Sequence, residues 1–437
     1  MGGIKPLAPQ LSHSLNPIPT LADARRLLRW SGLVIPLGVA AGSATAVFLW
    51  GLDMVTRARW DHPWLLYGLP LAGGLVGWVY HWAGRGAERG NNLLLEEIHQ
   101  PSAGVPVRMA PLVLAGTWIT HLFGGSAGRE GTALQMGGSL AAGFGRWARL
   151  RPEDRRMLLL AGIAAGFGAV FGTPITGAIF ALEVVTIGQM QYDCVIPALL
   201  AAVIGDQTCS AWGIHHAIYH IALPWPGVRF APFALRLAVL TVVGGVLFGL
   251  AARVFSILTH EVQRLFARWI GYAPLRPVLG GLLVIGLVAL AGTRDYLGLG
   301  VSTPDPHGVS ILNAFLPGGA GWFSWAWKLL FTAVTLGCGF KGGEVTPLFF
   351  IGATLGHSLG VLGGVPVDIM AGLGFIAVFA GAANTPVACT VMGAELFGAG
   401  YLPYFAVACF LAYHFSGPAG IYRSQRQLKR PGHGTPV

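Results

Sequence analysis

The stretch GGSAGREGT, Gly124–Thr132, lies between two apolar segments at about 107–123 and 133–145. Glycine costs about 1 kcal/mol in a helix interior, so this stretch predicts a break in the chain. A helix that starts near Glu130 inside a membrane directs unpaired N–H groups and its positive dipole end at the preceding loop. The stretch therefore predicts an anion site, with Glu130 at its mouth. The alternative is a glycine-rich external loop in which Arg129 and Glu130 form a salt bridge.

The composition indicates a membrane protein. Of the 437 residues, 54% are hydrophobic and 11% are charged, whereas about 25% of the residues of soluble domains are charged. Apolar runs of about 20 residues, enough to span a bilayer, recur along the chain. The 65 glycines favour close helix packing and broken helices. We therefore expect an all-α polytopic membrane protein.

The net charge of +10 is concentrated in the termini and loops, which agrees with the positive-inside rule and makes nucleic acid an unexpected partner. Both basic termini are predicted to be cytoplasmic, with the protein in a bacterial inner membrane and without a signal peptide. The five cysteines have no CxxC spacing. No disulfide, metal site or cofactor is expected, and the histidines near 215–220 are interpreted as part of an interfacial loop.

The chain divides into two halves with short terminal segments. The predicted segments are 1–30, a cytoplasmic segment with a short amphipathic helix at Leu21–Leu28; 31–206, the first membrane repeat; 207–230, an inter-repeat loop; 231–426, the second membrane repeat; and 427–437, a basic tail.

Two matches between the halves indicate an internal repeat. Gly128–Thr132 (GREGT) corresponds to Gly342–Thr346 (GGEVT), and Thr173-Pro174, followed by Glu183, corresponds to Thr385-Pro386, followed by Glu395. Both matches give an offset of roughly 212–214 residues. Broken helices at corresponding places predict a binding site at the repeat interface. Whether the repeats are inverted depends on the number of crossings, which the sequence leaves open. Glu183 and Glu395 are interpreted as structural caps or dimer-side residues.

Four motifs in order resemble those of the CLC family of anion channels and anion/proton antiporters, over about 30–426. They are the GREG of Gly128–Gly131, Gly90–Leu94 at the first filter motif, Gly342–Pro347 at the third, and Tyr422 at the inner end of the pore. The resemblance implies the CLC fold, with two inverted-topology repeats and broken, re-entrant helices. It also implies a homodimer with one pore in each subunit.

The departures from the usual motifs resemble those of the fluoride-selective CLC subfamily. Asn91 replaces the usual serine, Thr132 replaces the proline after GREG, and Glu344 and Thr346 stand in a motif that is usually apolar. Val184 occupies the position of the inner proton glutamate. This likeness implies export of fluoride driven by inward protons.

Fluoride is strongly hydrated, so a membrane site must replace its water with hydrogen-bond donors. Candidate donors are the Asn91 amide, the Thr346 and Tyr422 hydroxyls, and backbone N–H groups at the helix starts. The predicted ion-binding residues are Asn91, Gly128, Arg129, Gly131, Thr132, Val345, Thr346 and Tyr422. The alternatives are that Asn91 is a helix N-cap, that the Thr346 hydroxyl bonds its own helix, and that Tyr422 is an interfacial anchor.

Glu130 is the predicted gate and proton carrier. When ionised it competes with fluoride for the helix-lined site, and when protonated it leaves the pore, so the two ions are coupled by differential affinity. Glu344 is a second candidate on the proton path, or else a structural carboxylate held by the backbone. Lys341 and Arg129 are predicted either to attract anions or to pair with neighbouring carboxylates.

Three functions compete at this stage. The first is fluoride/proton antiport. The second is a chloride-conducting CLC channel or chloride/proton exchanger. The third is a cation-coupled transporter of an organic solute, which the glycine-rich helix starts disfavour because they suit anions. No Ser-His or metal-ligand spacing is present, so a transporter is expected rather than an enzyme.

Overall fold

A computed structural model describes residues 21–101, 104–222 and 231–427. Residues 1–20 of the predicted N-terminal segment, 223–230 of the inter-repeat loop and 428–437 of the basic tail lie outside the described residues.

The described residues form sixteen α-helices, with short 3₁₀ turns and one two-stranded pairing. The helices are α1 Leu21–Asp61, α2 Leu69–Ala83, α3 Asn91–His99, α4 Met109–Leu122, α5 Glu130–Trp147, α6 Pro152–Phe171, α7 Pro174–Glu183, α8 Val195–Ala211, α9 Ala231–Trp269, α10 Leu275–Ala291, α11 Ile311–Ala314, α12 Ser324–Gly337, α13 Val345–Gly363, α14 Val367–Ala383, α15 Pro386–Phe397 and α16 Leu402–Ser416. The order of long and short helices in α1–α8 repeats in α9–α16. The fold is therefore the expected all-α membrane architecture of two repeats.

The orientation of the repeats follows from two glutamates. The carboxylate of Glu183, at the C-terminus of α7, accepts the backbone N–H groups of Val387 (3.0 Å) and Ala388 (2.8 Å) at the start of α15. Glu395, near the C-terminus of α15, accepts the N–H of Thr176 at 2.7 Å, at the start of α7. Corresponding helices thus lie side by side and antiparallel, as inverted-topology repeats require. The interpretation of both glutamates as structural caps is confirmed.

Each repeat contains a close crossing of glycine-bearing helices. A Cβ on Gly162 of α6 would lie 2.5 Å from the carbonyl oxygen of Gly137 on α5. In the second repeat, a Cβ on Gly374 of α14 would lie 2.0 Å from the carbonyl oxygen of Gly352 on α13. Small residues let helix backbones approach closely in membranes. These two crossings involve α5 and α13, the helices that begin at Glu130 and Val345.

Among the described residues, four helical segments are long and apolar enough to cross a membrane: Leu28–Asp61, Tyr192–Ala211, Phe233–Trp269 and Val345–Gly363. Shorter apolar helices lie between them. The 10 residues of α7 make a helix of about 15 Å, half the thickness of a hydrocarbon core. Such short helices are the broken elements that the glycine content predicts.

Several boundaries differ from the sequence-based expectation. Leu21–Leu28, expected as a separate surface helix, continues without a break into the first span. Helix α8 extends to Ala211, which lies inside the segment expected as the inter-repeat loop. Two short strands also form, because Thr186–Ile187 pairs in parallel with Arg426–Gln427. This pairing joins the end of α7 to the C-terminal segment.

Candidate anion site

Glu130 is the first residue of α5, and its side chain reaches the start of α13 in the other repeat. Its two carboxylate oxygens lie 2.7 and 2.6 Å from the Thr346 hydroxyl. One of them also accepts the backbone N–H groups of Thr346 (3.0 Å) and Arg129 (3.2 Å). The residue is 1% exposed. A carboxylate therefore occupies a helix N-terminus, a position that favours anions.

The loops that precede α5 and α13 are joined by backbone hydrogen bonds. The Gly128 N–H donates to the Gly343 carbonyl at 2.6 Å, and the Gly343 N–H donates to the Gly128 carbonyl at 2.8 Å. A Cβ on Gly128 would lie 2.9 Å from the Gly343 oxygen, and a Cβ on Gly343 would lie 2.7 Å from the Gly131 nitrogen. Because any side chain would force these backbones apart, the glycines permit the close approach of α5 and α13.

The Arg129 side chain lies beside Glu130 without a hydrogen bond to it. Its Nε is 3.4 Å from Oε1 of Glu130, but this buried Nε has no correctly oriented acceptor among the described residues. The Arg129 side chain is 18% exposed. The two charges do pair, but they do so at the repeat interface rather than in an external loop.

A large cavity of about 880 Å³ leads to this site. We call it the large cavity. Its walls come from both repeats and from the segment after α16. Five of its lining residues are Arg or Lys and three are Glu: Arg85, Arg89, Arg276, Lys341 and Arg423, and Glu88, Glu96 and Glu344. The excess of positive charge favours anions over cations in this space.

Asn91 and Tyr422 both line the large cavity. Asn91 Oδ1 and the Tyr422 hydroxyl are buried and have no hydrogen-bond partner among the described residues. The N-cap of α3 is Gly90, and it is followed by Asn91 as the first helical residue, so the interpretation of Asn91 as an N-cap is wrong. Tyr422 is 4% exposed, which excludes an interfacial anchor. Buried polar groups without partners are rare and mark a place for a ligand or water.

Glu344 and Asn91 both approach Gly131, the residue after Glu130. A Cβ on Gly131 would lie 3.1 Å from Asn91 Nδ2 and 3.7 Å from Glu344 Oε2. Glu344 is the N-cap residue of α13, but its side chain makes no capping hydrogen bond, and it is only partly buried. The large cavity therefore brings one polar amide and one carboxylate close to the residue that follows Glu130.

The remaining predicted residues differ in what they contribute. The Thr346 hydroxyl bonds Glu130 and not its own helix. The Thr132 hydroxyl lies 2.8 Å from that of Thr117 on α4, so it is directed to a neighbouring helix and not to Glu130. Val345 is the first residue of α13, and its apolar side chain is fully buried. The group that it could offer to an anion is therefore its backbone N–H. Gly128 and Gly131 act through the backbone approach described above.

Several polar residues that contact the loop before Glu130 were not predicted. The Ser126 hydroxyl lies 2.9 Å from that of Thr332 on α12, and the Ser126 N–H donates to Thr335 at 3.1 Å. The two ring nitrogens of the buried His121 lie 2.8 and 3.0 Å from the carbonyl oxygens of Thr117 and Ala127. These contacts fix the loop before Glu130. A polar residue within an apolar segment was the only sequence signal for them.

Val184 follows the last residue of α7 and has no acidic side chain. Its side chain is 3% exposed, and its carbonyl accepts the Gln425 amide at 2.9 Å. The same amide donates to the Ala383 carbonyl at 2.7 Å. Gln425 thus connects the ends of α7 and α14. Neither Val184 nor Gln425 has a side chain that can carry a proton.

Comparisons with known proteins agree with this geometry. Residues 72–417 match the family model described as voltage gated chloride channel. A relative from Pseudomonas syringae pv. tomato, named chloride/fluoride channel protein, is 47% identical over 404 residues, which are 92% of this chain and 87% of the relative. The crystal structure of a CLC-type fluoride/proton antiporter is similar, with 34% identity and a TM-score of 0.85, covering 94% of this chain and all of that one.

A slow cyanobacterial Cl⁻/H⁺ antiporter shares the fold, with a TM-score of 0.70 at 19% identity over 90% of this chain and 96% of that one. The family match covers most of the chain, and the similar relative covers more than nine-tenths of it. The chain therefore belongs to the CLC family of voltage gated chloride channels, as an anion transporter with the CLC fold.

Proposed function

We propose that this protein exports fluoride in exchange for inward protons, with Glu130 as both the gate and the proton carrier. The observation that carries the proposal is the position of the Glu130 carboxylate on the N–H and hydroxyl of Thr346. An ionised carboxylate and a small anion need the same donors, so only one of them can occupy the start of α13 at a time. Protonation removes the charge of Glu130 and frees those donors for fluoride.

The inner donors suit an ion that is a strong hydrogen-bond acceptor. The Tyr422 hydroxyl is buried in the wall of the large cavity and has no hydrogen-bond partner among the described residues, and Asn91, whose Nδ2 is a donor, lines the same cavity. Each hydrogen bond to a charged group contributes about 1.5–3 kcal/mol. Fluoride gains more than chloride from such bonds because its charge is held in a smaller ion. This supports fluoride as the transported ion.

Glu344 is the proposed second carboxylate of the proton path. It lines the large cavity and lies close to Gly131, beside the gate. Because Val184 has no acidic side chain, we propose that protons reach Glu130 from the large cavity through Glu344. The names of the compared proteins, a chloride/fluoride channel protein and a fluoride/proton antiporter, support the same ions. We also propose a homodimer in the inner membrane, with both termini in the cytoplasm.

The deciding experiment compares anion fluxes from liposomes that contain the purified protein. Vesicles are loaded with equal concentrations of fluoride and chloride, and the release of each ion is followed with an ion-selective electrode while external pH is recorded. We expect fluoride to leave much faster than chloride, and an outward fluoride gradient to drive protons inward against a proton gradient. Equal chloride release would favour the chloride-conducting alternative, and fluoride release without proton movement would indicate a channel.

A further inference from the structure

A second, smaller cavity of about 230 Å³ lies at the other end of the α2–α10 pair from the large cavity. The large cavity touches Tyr80 and Arg276, at the C-terminus of α2 and the N-terminus of α10. The smaller one touches Leu66, just before α2, and Arg294, just after α10. We call it the small cavity. The two cavities therefore open toward opposite faces of the protein.

Arg59 lines the small cavity with an unsatisfied charge. Its Nε is buried and has no hydrogen-bond partner among the described residues. No ion pair joins Arg59 or Arg294 to a carboxylate within the described ranges. Burying a guanidinium N–H without an acceptor costs free energy, unless an anion or a water molecule accepts its hydrogen bond. This arrangement is typical of an anion site.

The two carboxylates in the wall of the small cavity are engaged in folding the loop after α10. Asp295 accepts the N–H of Val309 at 3.1 Å, and Asp305 accepts the N–H of His307 at 2.9 Å. One carboxylate oxygen of each aspartate thus accepts a backbone N–H from its own loop. Neither aspartate forms an ion pair with Arg59. The cationic donors of the cavity, Arg59 and Arg294, are therefore not paired with these carboxylates, although each aspartate keeps one oxygen that its backbone bond does not use.

A buried lysine lies behind the same wall. The fully buried Nζ of Lys328, on α12, donates to the carbonyls of Tyr296 (3.1 Å) and Gly298 (2.8 Å). A Cβ on Gly298 would lie 2.9 Å from a terminal nitrogen of Arg59. Lys328 and Arg59 therefore contact the same short segment, and Lys328 fixes the backbone beside Arg59.

The small cavity adjoins the loop that ends at the gate. A Cβ on Gly124 would lie 3.4 Å from Leu297 and 3.7 Å from Cδ of Arg59. Gly124 is the first residue of the stretch that ends with Glu130 and Thr132. One turn of α12 beyond Lys328, Thr332 holds Ser126 of the same stretch. The small cavity therefore lies next to the start of the loop that ends at Glu130.

We propose that the small cavity is a binding site for a hydrated inorganic anion, held by Arg59, at which the transported ion regains its water. The identity of that ion as fluoride rests on the proposed function. Water takes up about 30 Å³ per molecule in the liquid. A volume near 230 Å³ thus accommodates about seven such molecules, or one small ion with a first hydration shell.

The test compares Arg59→Gln with Arg59→Lys in liposomes, using the full-length protein. We expect R59Q to release fluoride several-fold more slowly than wild type at low ionic strength, with an unchanged ratio of fluoride to protons. R59K keeps the charge and should retain most of the rate. Raising the concentration of an impermeant salt shortens the Debye length from about 30 Å at 0.01 M to about 3 Å at 1 M. Salt should therefore slow wild type more than it slows R59Q, so that the difference between the two rates shrinks.

Equal rates for R59Q and wild type at low salt would overturn the proposal. So would a slow R59K combined with a wild-type rate that is insensitive to salt, because Arg59 would then act through packing alone. If R59Q does not fold, Arg294→Gln and Arg294→Lys are measured in the same way. The same two results, now for Arg294, would overturn the proposal. If the liposomes release chloride as fast as fluoride, the proposed function fails, and the same variants then test the small cavity with chloride as the probe.

Discussion

The hydroxyl of Thr346 lies 2.7 and 2.6 Å from the two carboxylate oxygens of Glu130, although the two residues are 216 positions apart in the chain. Each repeat contributes one partner of this pair. The carboxylate is thus held at the start of α13 by a group that could equally bind an anion in its place. The first three predictions follow from this competition.

Replacing Glu130 by glutamine should separate anion movement from proton movement. The neutral amide carries no transferable proton, so inward proton transport driven by fluoride should fall to the background of protein-free liposomes. Fluoride release should persist, because the charge that competes with the anion is gone. Proton uptake is measured with a pH electrode in parallel with fluoride release. An E130Q protein with the wild-type ratio of fluoride to protons would remove Glu130 from the mechanism.

Thr346→Val removes the hydroxyl that holds Glu130 while keeping the size of the side chain. A hydrogen bond to a charged group contributes about 1.5–3 kcal/mol, so the balance between the bound and released carboxylate should shift by about tenfold or more. We expect T346V to move fewer protons for each fluoride ion, whereas Thr346→Ser, which retains the hydroxyl, should keep the wild-type ratio. Identical ratios for the two variants would show that the backbone N–H alone holds the gate.

Glu344→Gln should lower coupled proton transport while leaving the thermal stability of the protein unchanged. The control is Glu88→Gln, which neutralises an exposed carboxylate in the wall of the same cavity. Both substitutions change the charge of the large cavity equally, so a general electrostatic effect on anions would appear in both. Slow proton transport in E344Q alone supports a place on the proton path. Equal behaviour of the two variants would argue against one.

Tyr422→Phe should weaken fluoride transport without destabilising the protein. The hydroxyl is buried and unpartnered among the described residues, so its removal takes away no hydrogen bond and no packed carbon atom. If it donates to fluoride, losing about 1.5 kcal/mol or more reduces affinity about tenfold. Fluoride dependence of the flux and the thermal unfolding midpoint in detergent are measured, with the exposed Tyr192→Phe as control. A lower midpoint with unchanged flux would assign the hydroxyl a structural role.

Glu395→Gln should destabilise the contact between the repeats. The carboxylate accepts the N–H groups of Ile175 and Thr176, at 3.0 and 2.7 Å, and the Thr176 hydroxyl at 2.5 Å. An amide nitrogen cannot accept a hydrogen bond, so at least one of these donors loses its partner, at a cost of about 1 kcal/mol or, for a buried donor, up to about 3 kcal/mol. We expect a thermal unfolding midpoint several degrees lower. Glu153→Gln, at an exposed helix start, should cost less than about 1 kcal/mol.

The local features of the site could be predicted from sequence. The glycines of 124–131 indicated a chain break, and α5 does begin at Glu130. The repeat offset placed Thr346 and Glu344 at the corresponding helix start, and α13 does begin at Val345. These predictions depend on backbone preferences that act within a few residues, which is why they required no knowledge of the fold.

The pairing between distant segments could not be predicted in the same way. Nothing local indicates that Glu130 bonds α13 and not its own loop, or that Glu183 caps α15. The orientation of the repeats also depended on counting short helices whose lengths fall below that of a membrane span. Arg59 was passed over because it lies at the end of a long helix, where an arginine is ordinary, and only its surroundings show that its charge is unpaired.

The two backbone hydrogen bonds between Gly128 and Gly343 also limit how the protein can move. Together with the two glutamate caps, they fasten one half of the molecule to the other next to the ion path. A cycle in which the halves swing apart would have to break all of these buried bonds in every turnover. The moving part is thus expected to be a single side chain, rotating against a rigid frame.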